Sequence, residues 1–189
     1  MSRVQQIQTC WSFANREILR GNVIRYSIPQ SSLLAKDSRE LREFNFAVAQ
    51  FMRLGSDGSG SCPRQVDVFE NSVLAEKWET KKREMGTAAG EPIWVFHGTN
   101  ETNITNIMTE GFKVGGQDGI RVVNGTAHGS GVYTCEGPDL PLRTYGKGQC
   151  VILALGLKGR AGTHNKQPKD DWVMFMDGAQ LLPKYVVYM

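Results

Sequence analysis

One stretch organises this sequence: Ile93-Trp94-Val95-Phe96, followed directly by His97-Gly98-Thr99. Four apolar residues in a row, bounded by turn-forming residues, are typical of a buried β-strand. The strand therefore carries an imidazole and a glycine peptide unit to its C-terminal end. Because glycine has no Cβ, a ligand can approach its main chain closely. A histidine after a strand is more often structural than catalytic, so this segment alone predicts a site only weakly.

A glycine-rich segment further along the chain strengthens the interpretation. Residues 125–131, Gly-Thr-Ala-His-Gly-Ser-Gly, lead into Val132-Tyr133, which begins another predicted strand. We interpret residues 115–131 as a long loop, and loops of that length in a compact domain are often functional. Together the two segments predict a site built from His97, a glycine backbone and Tyr133.

The composition is that of an ordinary globular domain. Of the 189 residues, 40% are hydrophobic and 22% charged, which indicates neither disorder nor a membrane protein. The net charge of +3 is too small to indicate a nucleic-acid partner, and no apolar run is long enough to cross a bilayer. The cysteines lack paired metal spacing, so we expect reduced thiols and no metal at Cys10, Cys62, Cys135 and Cys150. With no signal-peptide pattern at the N-terminus, we expect an intracellular protein, cytoplasmic or nuclear.

The predicted helices lie mainly in the first part of the chain. Trp11, Phe13 and Ile18 suggest a short amphipathic helix, and Asp37 or Ser38 is the expected N-cap of the next. One face of that second helix carries Leu41, Phe44, Val48 and either Phe51 or Met52. Asn71 is the expected cap of a third helix, with a face made of Leu74, Trp78, Lys81 and Met85. A small helix with Ile104, Ile107 and Met108 ends at Gly111.

The predicted strands dominate the second half. Besides the one that ends at His97, we expect strands at residues 66–69, 132–133, 150–155, 172–176 and 185–188. Runs of strands that follow runs of helices indicate an α+β fold with a largely antiparallel sheet. The run Gly55-Ser56-Asp57-Gly58-Ser59-Gly60-Ser61 is the best candidate for a flexible connection.

Five segments of the chain, in order, resemble the catalytic domain of the poly(ADP-ribose) polymerases and their mono-ADP-ribosylating relatives. The helix with Asn71, Trp78 and Lys81 is similar to the one before the active-site strand in the mono-transferring branch. The others are Phe96-His97-Gly98-Thr99, the turn at Glu110-Gly111-Phe112, the loop and strand from Gly125 to Tyr133, and residues 177–185 (Asp-Gly-Ala-Gln-Leu-Leu-Pro-Lys-Tyr). The match runs from about Val66 to the C-terminus.

The resemblance implies a fold and a division of the chain. We expect split antiparallel sheets with short flanking helices, most of the helices lying in the N-terminal third. Residues 1–60 would be a helical extension packed on or linked to the core, and residues 61–189 the ADP-ribosyltransferase domain. The chain has no room for the family's helical regulatory domain, so it resembles a bare catalytic domain and a monomer.

The resemblance also implies a substrate, NAD+, and the residues that bind it. His97 would bond a hydroxyl of the adenosine-side ribose, and Gly98 would offer its N–H and C=O to the nicotinamide carboxamide. Tyr133 and Tyr145 would pack on the two faces of the nicotinamide ring. The contacts would be completed by Thr99 and Gly131. No metal is implied, and the partner would be a protein acceptor, the chain itself included.

Two positions depart from the family pattern. Counting back from Asp177 places Trp172 where the polymerizing members carry a glutamate that helps to activate the next acceptor. Tryptophan cannot replace a carboxylate as a hydrogen-bond acceptor, so we expect transfer of a single unit rather than polymer. Upstream of Tyr145, where the family has a serine for the carboxamide, Leu140 and Leu142 occupy the nearby positions and Thr144 is the only hydroxyl.

Three functions remain open at this point. The first is mono-ADP-ribosylation of a protein side chain, with glutamate, aspartate, cysteine or serine as the acceptor. The second is an NAD-binding or protein-binding pseudoenzyme, which the leucines before Tyr145 favour and intact His97 and Tyr133 oppose. The third is a hydrolase, which is disfavoured because the sequence places no carboxylate to activate water. His128 most simply fills an aromatic slot of the glycine loop.

Overall fold

The computed structural model describes residues 14–32, 38–53, 62–115 and 129–189. The described residues form three α-helices, which are α1 (Arg39–Arg53), α2 (Ser72–Met85) and α3 (Glu101–Glu110). The strands are β1 (Asn15–Ile18), β2 (Ile24–Pro29), β3 (Gln65–Glu70), β4 (Ile93–His97), β5 (Val132–Cys135), β6 (Cys150–Gly156), β7 (Asn165–Lys166), β8 (Trp172–Phe175) and β9 (Leu181–Tyr188). The fold is therefore α+β, as the sequence predicts.

These nine strands form one sheet in the order β1-β2-β3-β9-β6-β4-β5-β8-β7. Each neighbouring pair is antiparallel. The central strand β6 is buried along almost its whole length, which agrees with the unbroken apolar run Cys150-Val151-Ile152-Leu153-Ala154-Leu155. Such runs, rather than alternating ones, mark strands covered on both faces.

Three clusters of buried side chains cover the two faces of this sheet. One lies under α3 and includes Met108, Phe112 and Phe175. A second lies under α1 and includes Phe44, Phe51 and Phe96. The third lies under α2, on the same face as α1, and includes Leu74 and Trp78. The sheet is thus the middle layer between α3 on one face and α1 with α2 on the other.

The helix starts follow the predicted capping residues. The Ser38 hydroxyl accepts a hydrogen bond from the Leu41 N–H at 3.1 Å, and the Asn71 side chain accepts one from the Leu74 N–H at 3.1 Å. Each satisfies a backbone donor that a first helical turn leaves unpaired. On α1 the buried face takes Phe51, whereas Met52 is 53% exposed. Helix α3 ends at Gly111, whose φ of 90° favours glycine.

Two expectations for the first part of the chain need correction. Residues 15–29 are not a helical extension, because they form β1 and β2 of the same sheet, with Ile18 in a strand rather than a helix. β2 pairs along all of β3, so this part is continuous with the sheet. The described α-helices are also not concentrated in the N-terminal third, since α2 and α3 follow it. Trp11, Phe13, Asp37 and residues 55–61 lie outside the described residues.

Candidate functional site

The sheet opens between β4 and β5. On one side β4 pairs with β6 at five consecutive positions, from Ile93 to His97. On the other side it pairs with β5 only at Phe96, opposite Cys135. Strand β5 is in turn paired with β8 at four positions. Beyond the Phe96–Cys135 pair, therefore, the two central strands diverge, and His97, Gly98 and Tyr133 lie at this opening.

His97 bridges the opening. Its Nδ1 atom lies 2.9 Å from the backbone oxygen of Tyr133. Its ring also packs against Phe112 in a T-shaped arrangement, with centroids 5.1 Å apart and an interplanar angle of 77°. One polar contact and one aromatic contact therefore fix the imidazole, a support that the sequence alone did not reveal.

These contacts define the protonation state of His97. A carbonyl oxygen only accepts hydrogen bonds, so Nδ1 must carry the proton. Burial lowers the pKa of His97 below its ordinary value, although the bond to the Tyr133 carbonyl acts in the opposite direction. The ring is consequently neutral at neutral pH, and Nε2 is left with a lone pair. Such a nitrogen can accept a hydrogen bond from a sugar hydroxyl.

Packing against the neighbouring backbone requires a glycine at position 98, whether or not a ligand approaches it. A Cβ built on Gly98 would lie 2.1 Å from the carbonyl oxygen of Pro141. The resemblance implies the close approach of a nicotinamide ring to this glycine, but the close neighbour on its Cα is protein backbone. The contact places the turn Pro141–Tyr145 directly beside the end of β4.

Tyr133 and Trp172 share one face of the sheet. Cys135 lies opposite Trp172, and Tyr133 lies two residues before Cys135 on β5. Directly opposed residues share a face and alternate residues of a strand return to it. His97, one residue past the Phe96–Cys135 pair, starts from the other face. The imidazole thus meets Tyr133 at its backbone, while the Tyr133 phenol donates to the Gly129 carbonyl at 2.7 Å.

Trp172 is the first residue of β8, and its indole has no oxygen that could accept a hydrogen bond. It is half-buried on β8, and the Lys169 ammonium lies 5.0 Å from its ring centroid. This distance is within the range of a cation–π interaction. The neighbouring Asp171 carbonyl accepts from the Glu136 N–H, and Asp171 is one residue out of phase with Trp172. The Lys169 ammonium therefore accompanies the indole at position 172.

The turn that ends at Tyr145 is a short π-helical segment, Pro141–Tyr145. Leu142 is buried in the cluster under α1 and contributes to the core. Thr144 is exposed and Leu140 half-buried, whereas Tyr145 is 37% exposed at the end of the turn. The structure therefore places Tyr145 in the segment that contacts Gly98.

The segments that carry the family resemblance contact one another. The Lys81 ammonium pairs with the Asp177 carboxylate at 2.7 Å, and Trp78 Nε1 donates to the Gln180 carbonyl at 3.2 Å. The Asn71 amide donates to the carbonyls of Met108 and Thr109 in the last turn of α3. Segments about 100 residues apart along the chain are therefore joined by polar contacts.

The closing segment continues this set of contacts towards His97. Asp177 caps the turn Gly178–Gln180 by accepting from the Ala179 N–H at 2.8 Å. Burial alone would raise the pKa of Asp177, but the Lys81 ammonium and the Ala179 N–H outweigh it and lower the pKa. A Cβ on Gly178 would lie 2.0 Å from the carbonyl oxygen of Phe112, so this turn packs tightly against the backbone of Phe112, the residue whose ring contacts His97.

Lys166 also belongs to this face, although no sequence pattern predicts it. It lies opposite Met174, which lies opposite Tyr133, so the three residues form one row across β7, β8 and β5. Its ammonium lies 3.4 Å from the position of a Cβ on Gly129. A strand of two residues, Asn165–Lys166, is too short for a periodic pattern to reveal.

The remaining predicted residues fall into two groups. The Thr99 hydroxyl accepts from the Asn103 amide at 3.3 Å in front of α3, and Gly131 packs on β8, where a Cβ would lie 2.6 Å from Met174. Residues 116–128, with Gly125 and His128, lie outside the described residues.

Within the described ranges no cluster of histidine, cysteine, aspartate or glutamate could hold a metal ion. In the same ranges Cys62, Cys135 and Cys150 are free, and no helix is long and apolar enough to span a membrane.

A groove of about 500 Å³ lies elsewhere, between α1 and α2. Trp94, Leu155 and Leu182, three opposed residues of β4, β6 and β9, form its floor. Neither His97 nor Tyr133 lines it. The groove and the opening between β4 and β5 are therefore separate features of the molecule.

A scan against protein-family models found no matching family, and a search of curated proteins found no match to this chain.

Proposed function

We propose that this protein transfers one ADP-ribose unit from NAD+ to a protein side chain and releases nicotinamide. In this reaction the bond between the nicotinamide nitrogen and C1′ of its ribose breaks, and the bonding electrons leave with neutral nicotinamide. A new bond forms between C1′ and an oxygen, nitrogen or sulfur atom of the acceptor, and any proton on that atom passes to solvent. The substrate supplies the leaving group, so no metal is needed.

The observation that carries this proposal is the opening of the sheet at His97. A single residue pair joins β4 to β5; the histidine and the glycine of the family pattern directly follow Phe96, and the tyrosine lies two residues before Cys135. Main-chain groups at such an opening are free of a complete ladder and require other partners. A dinucleotide held there would meet backbone donors and acceptors together with a fixed imidazole.

Each residue then has a role that fits its geometry. The neutral His97 presents Nε2 to a ribose hydroxyl, since Nδ1 is committed to the Tyr133 carbonyl. Gly98 contributes main-chain polar groups beside the turn Pro141–Tyr145, and Tyr145 at the end of that turn covers the nicotinamide ring. Holding the substrate in one strained geometry lowers the barrier to an oxocarbenium-like transition state.

Transfer of a single unit follows from the face that carries Trp172. Chain elongation requires a group that orients and activates the hydroxyl of an ADP-ribose already attached. Position 172 offers an indole beneath the Lys169 ammonium, and an indole nitrogen only donates hydrogen bonds. No carboxylate is therefore available at this position for a second transfer.

The test is incubation of the purified chain with NAD+ labelled in the adenosine half. We expect label on protein, an equal amount of nicotinamide, and loss of both in His97→Ala. Nicotinamide with free ADP-ribose and no labelled protein would identify a hydrolase instead. Intact NAD+ after long incubation would contradict the proposal.

One observation favours a second candidate, an NAD-binding or protein-binding pseudoenzyme. Leu142 is part of the core, so the carboxamide of nicotinamide loses the hydroxyl partner that the family provides. A lost neutral hydrogen bond costs about 1 kcal/mol. A chain that consumes no NAD+ but is stabilised against heat by nicotinamide analogues would support this candidate.

A further inference from the structure

Phe112 stands directly after α3 and its C-terminal glycine, outside the set of residues that the reaction requires. It is buried, and its ring packs edge to face with the His97 imidazole at 5.1 Å between centroids. Edge-to-face pairs at this distance have a preferred mutual orientation. The contact therefore restricts the tilt of the imidazole, while the Tyr133 carbonyl restricts its rotation.

The backbone of Phe112 packs against the turn that contains Gly178. Its carbonyl group occupies the space beside Gly178, where a Cβ would lie only 2.0 Å from the oxygen. The turn that contains Gly178 is capped by Asp177, and Asp177 is paired with Lys81 of α2. A shift of the Phe112 backbone towards Gly178 would thus require this capped turn to move as well.

We propose that Phe112 is a positioning residue for His97. Its ring fixes the tilt of the imidazole and excludes water from it, so that Nε2 points in one direction as a hydrogen-bond acceptor. The role in catalysis rests on the proposed function, whereas the effect of Phe112 on His97 is a property of the fold and can be measured without NAD+. The described part of the chain places the Tyr133 carbonyl and the Phe112 ring in contact with this imidazole, and neither group is charged.

The direct test is an NMR titration of the three histidines, His97, His128 and His164, with the His97 signal assigned from His97→Gln. In Phe112→Ala water reaches the ring, so the pKa of His97 should rise towards its ordinary value of about 6.5. Phe112→Leu still covers part of the ring and should give a smaller shift. An unaltered His97 titration in both variants would overturn the proposal.

Phe44→Leu is the matched control, because Phe44 is equally buried but belongs to the cluster under α1. It should lower the melting temperature about as much as Phe112→Leu while the His97 titration stays as in the wild type. A shift of the His97 pKa in Phe44→Leu of the same size would show that general loosening moves it, and would also overturn the proposal.

The activity of the same variants separates this inference from the proposed function. Initial rates measured over the same range of NAD+ concentrations give kcat/KM for each variant. Phe112→Leu should reduce kcat/KM on the order of 10-fold, because a small displacement of a catalytic side chain has a large effect on the rate. A wild-type chain inert towards NAD+ would contradict the proposed function and leave the titration as the test of Phe112. Wild-type kcat/KM in Phe112→Leu, with a shifted His97 pKa, would contradict the link to catalysis.

Discussion

The two sides of β4 differ in one respect that defines the molecule. Towards β6 the pairing runs through five residue pairs and reaches His97, whereas towards β5 it consists of the single pair Phe96–Cys135. Strand β6 is an apolar run along most of its length, whereas β5 is the four residues Val132-Tyr133-Thr134-Cys135, two of which carry a hydroxyl. The adjoining chain differs as well: His97-Gly98-Thr99 leads from β4 into α3, and a glycine-rich segment precedes β5.

This difference separates a scaffold from a site. On the β6 side the backbone groups satisfy one another, and burial stabilises the arrangement. On the β5 side a side chain replaces part of the backbone ladder, since the His97 imidazole bonds the Tyr133 carbonyl across the opening. We propose that the main-chain groups where the ladder ends at this opening, which the histidine bridges, bind the ligand.

The largest expected effect comes from removing the bridge. His97→Ala should lower ADP-ribose transfer by about 10²–10³-fold, the usual loss when a preorganised polar contact to the transition state is removed. Initial rates of protein labelling measure it. His164→Ala is the control, because the His164 ring accepts from the Arg160 N–H in the turn before β7 and, among the described residues, makes no hydrogen bond to His97 or Tyr133. Equal losses in both variants would contradict a special role for the opening.

The next effect concerns the glycine at the end of β4. Gly98→Ala places a Cβ 2.1 Å from the Pro141 oxygen, so we expect a loss of about 3 kcal/mol in the free energy of unfolding. Gly148→Ala tests backbone strain without a clash, since its φ is 73° and no atom lies within 4 Å of the added Cβ. It should cost about 1 kcal/mol. Urea unfolding measures both, and equal costs would show that the Pro141 contact is unimportant.

A smaller effect is the pH dependence of stability. The unfolded chain binds a proton at His97 near pH 6.5, and the folded chain binds it only at lower pH because burial lowers the pKa. Stability is therefore unaffected by this group above pH 6.5 and decreases as the pH falls below it. The loss between pH 7.5 and 5 should be smaller in His97→Gln than in the wild type. Identical pH profiles would contradict a neutral, half-buried imidazole.

The smallest effect should follow from restoring the acid at position 172. In Trp172→Glu the new carboxylate is placed next to the Lys169 ammonium, so it should pair with that cation rather than orient a sugar hydroxyl. We expect the labelled product to carry one unit, as in the wild type. Mobility on a denaturing gel measures chain length, and a ladder of long products would contradict this expectation.

Much of the scaffold could be predicted from the sequence, because its signals are local. The apolar run of β6, the strand ending at His97 and the caps at Ser38 and Asn71 are each encoded within a few residues. The spacing of Trp11, Phe13 and Ile18 predicts a short helix, whereas Ile18 lies in β1. Pairing of β2 along all of β3 determines the structure there, and pairing partners are not visible in a single strand.

The candidate site could be predicted only in its residue types. His97 and Tyr133 are recognisable in the sequence, but the imidazole meets the Tyr133 carbonyl and not the phenol. Phe112 and Lys166 were missed because their roles depend on contacts between distant segments. Gly98 was assigned to ligand approach, and no local pattern could have indicated that Pro141 lies against it.

The most direct test of the central claim is an NMR titration of the protein with NAD+ that follows two reporters. One is the His97 ring at the opening between β4 and β5, and the other is the Trp94 indole at the floor of the groove between α1 and α2. We predict saturable changes at His97, with Trp94 unchanged. Changes at Trp94 alone, or at neither position, would contradict a dinucleotide site at the opening of the sheet.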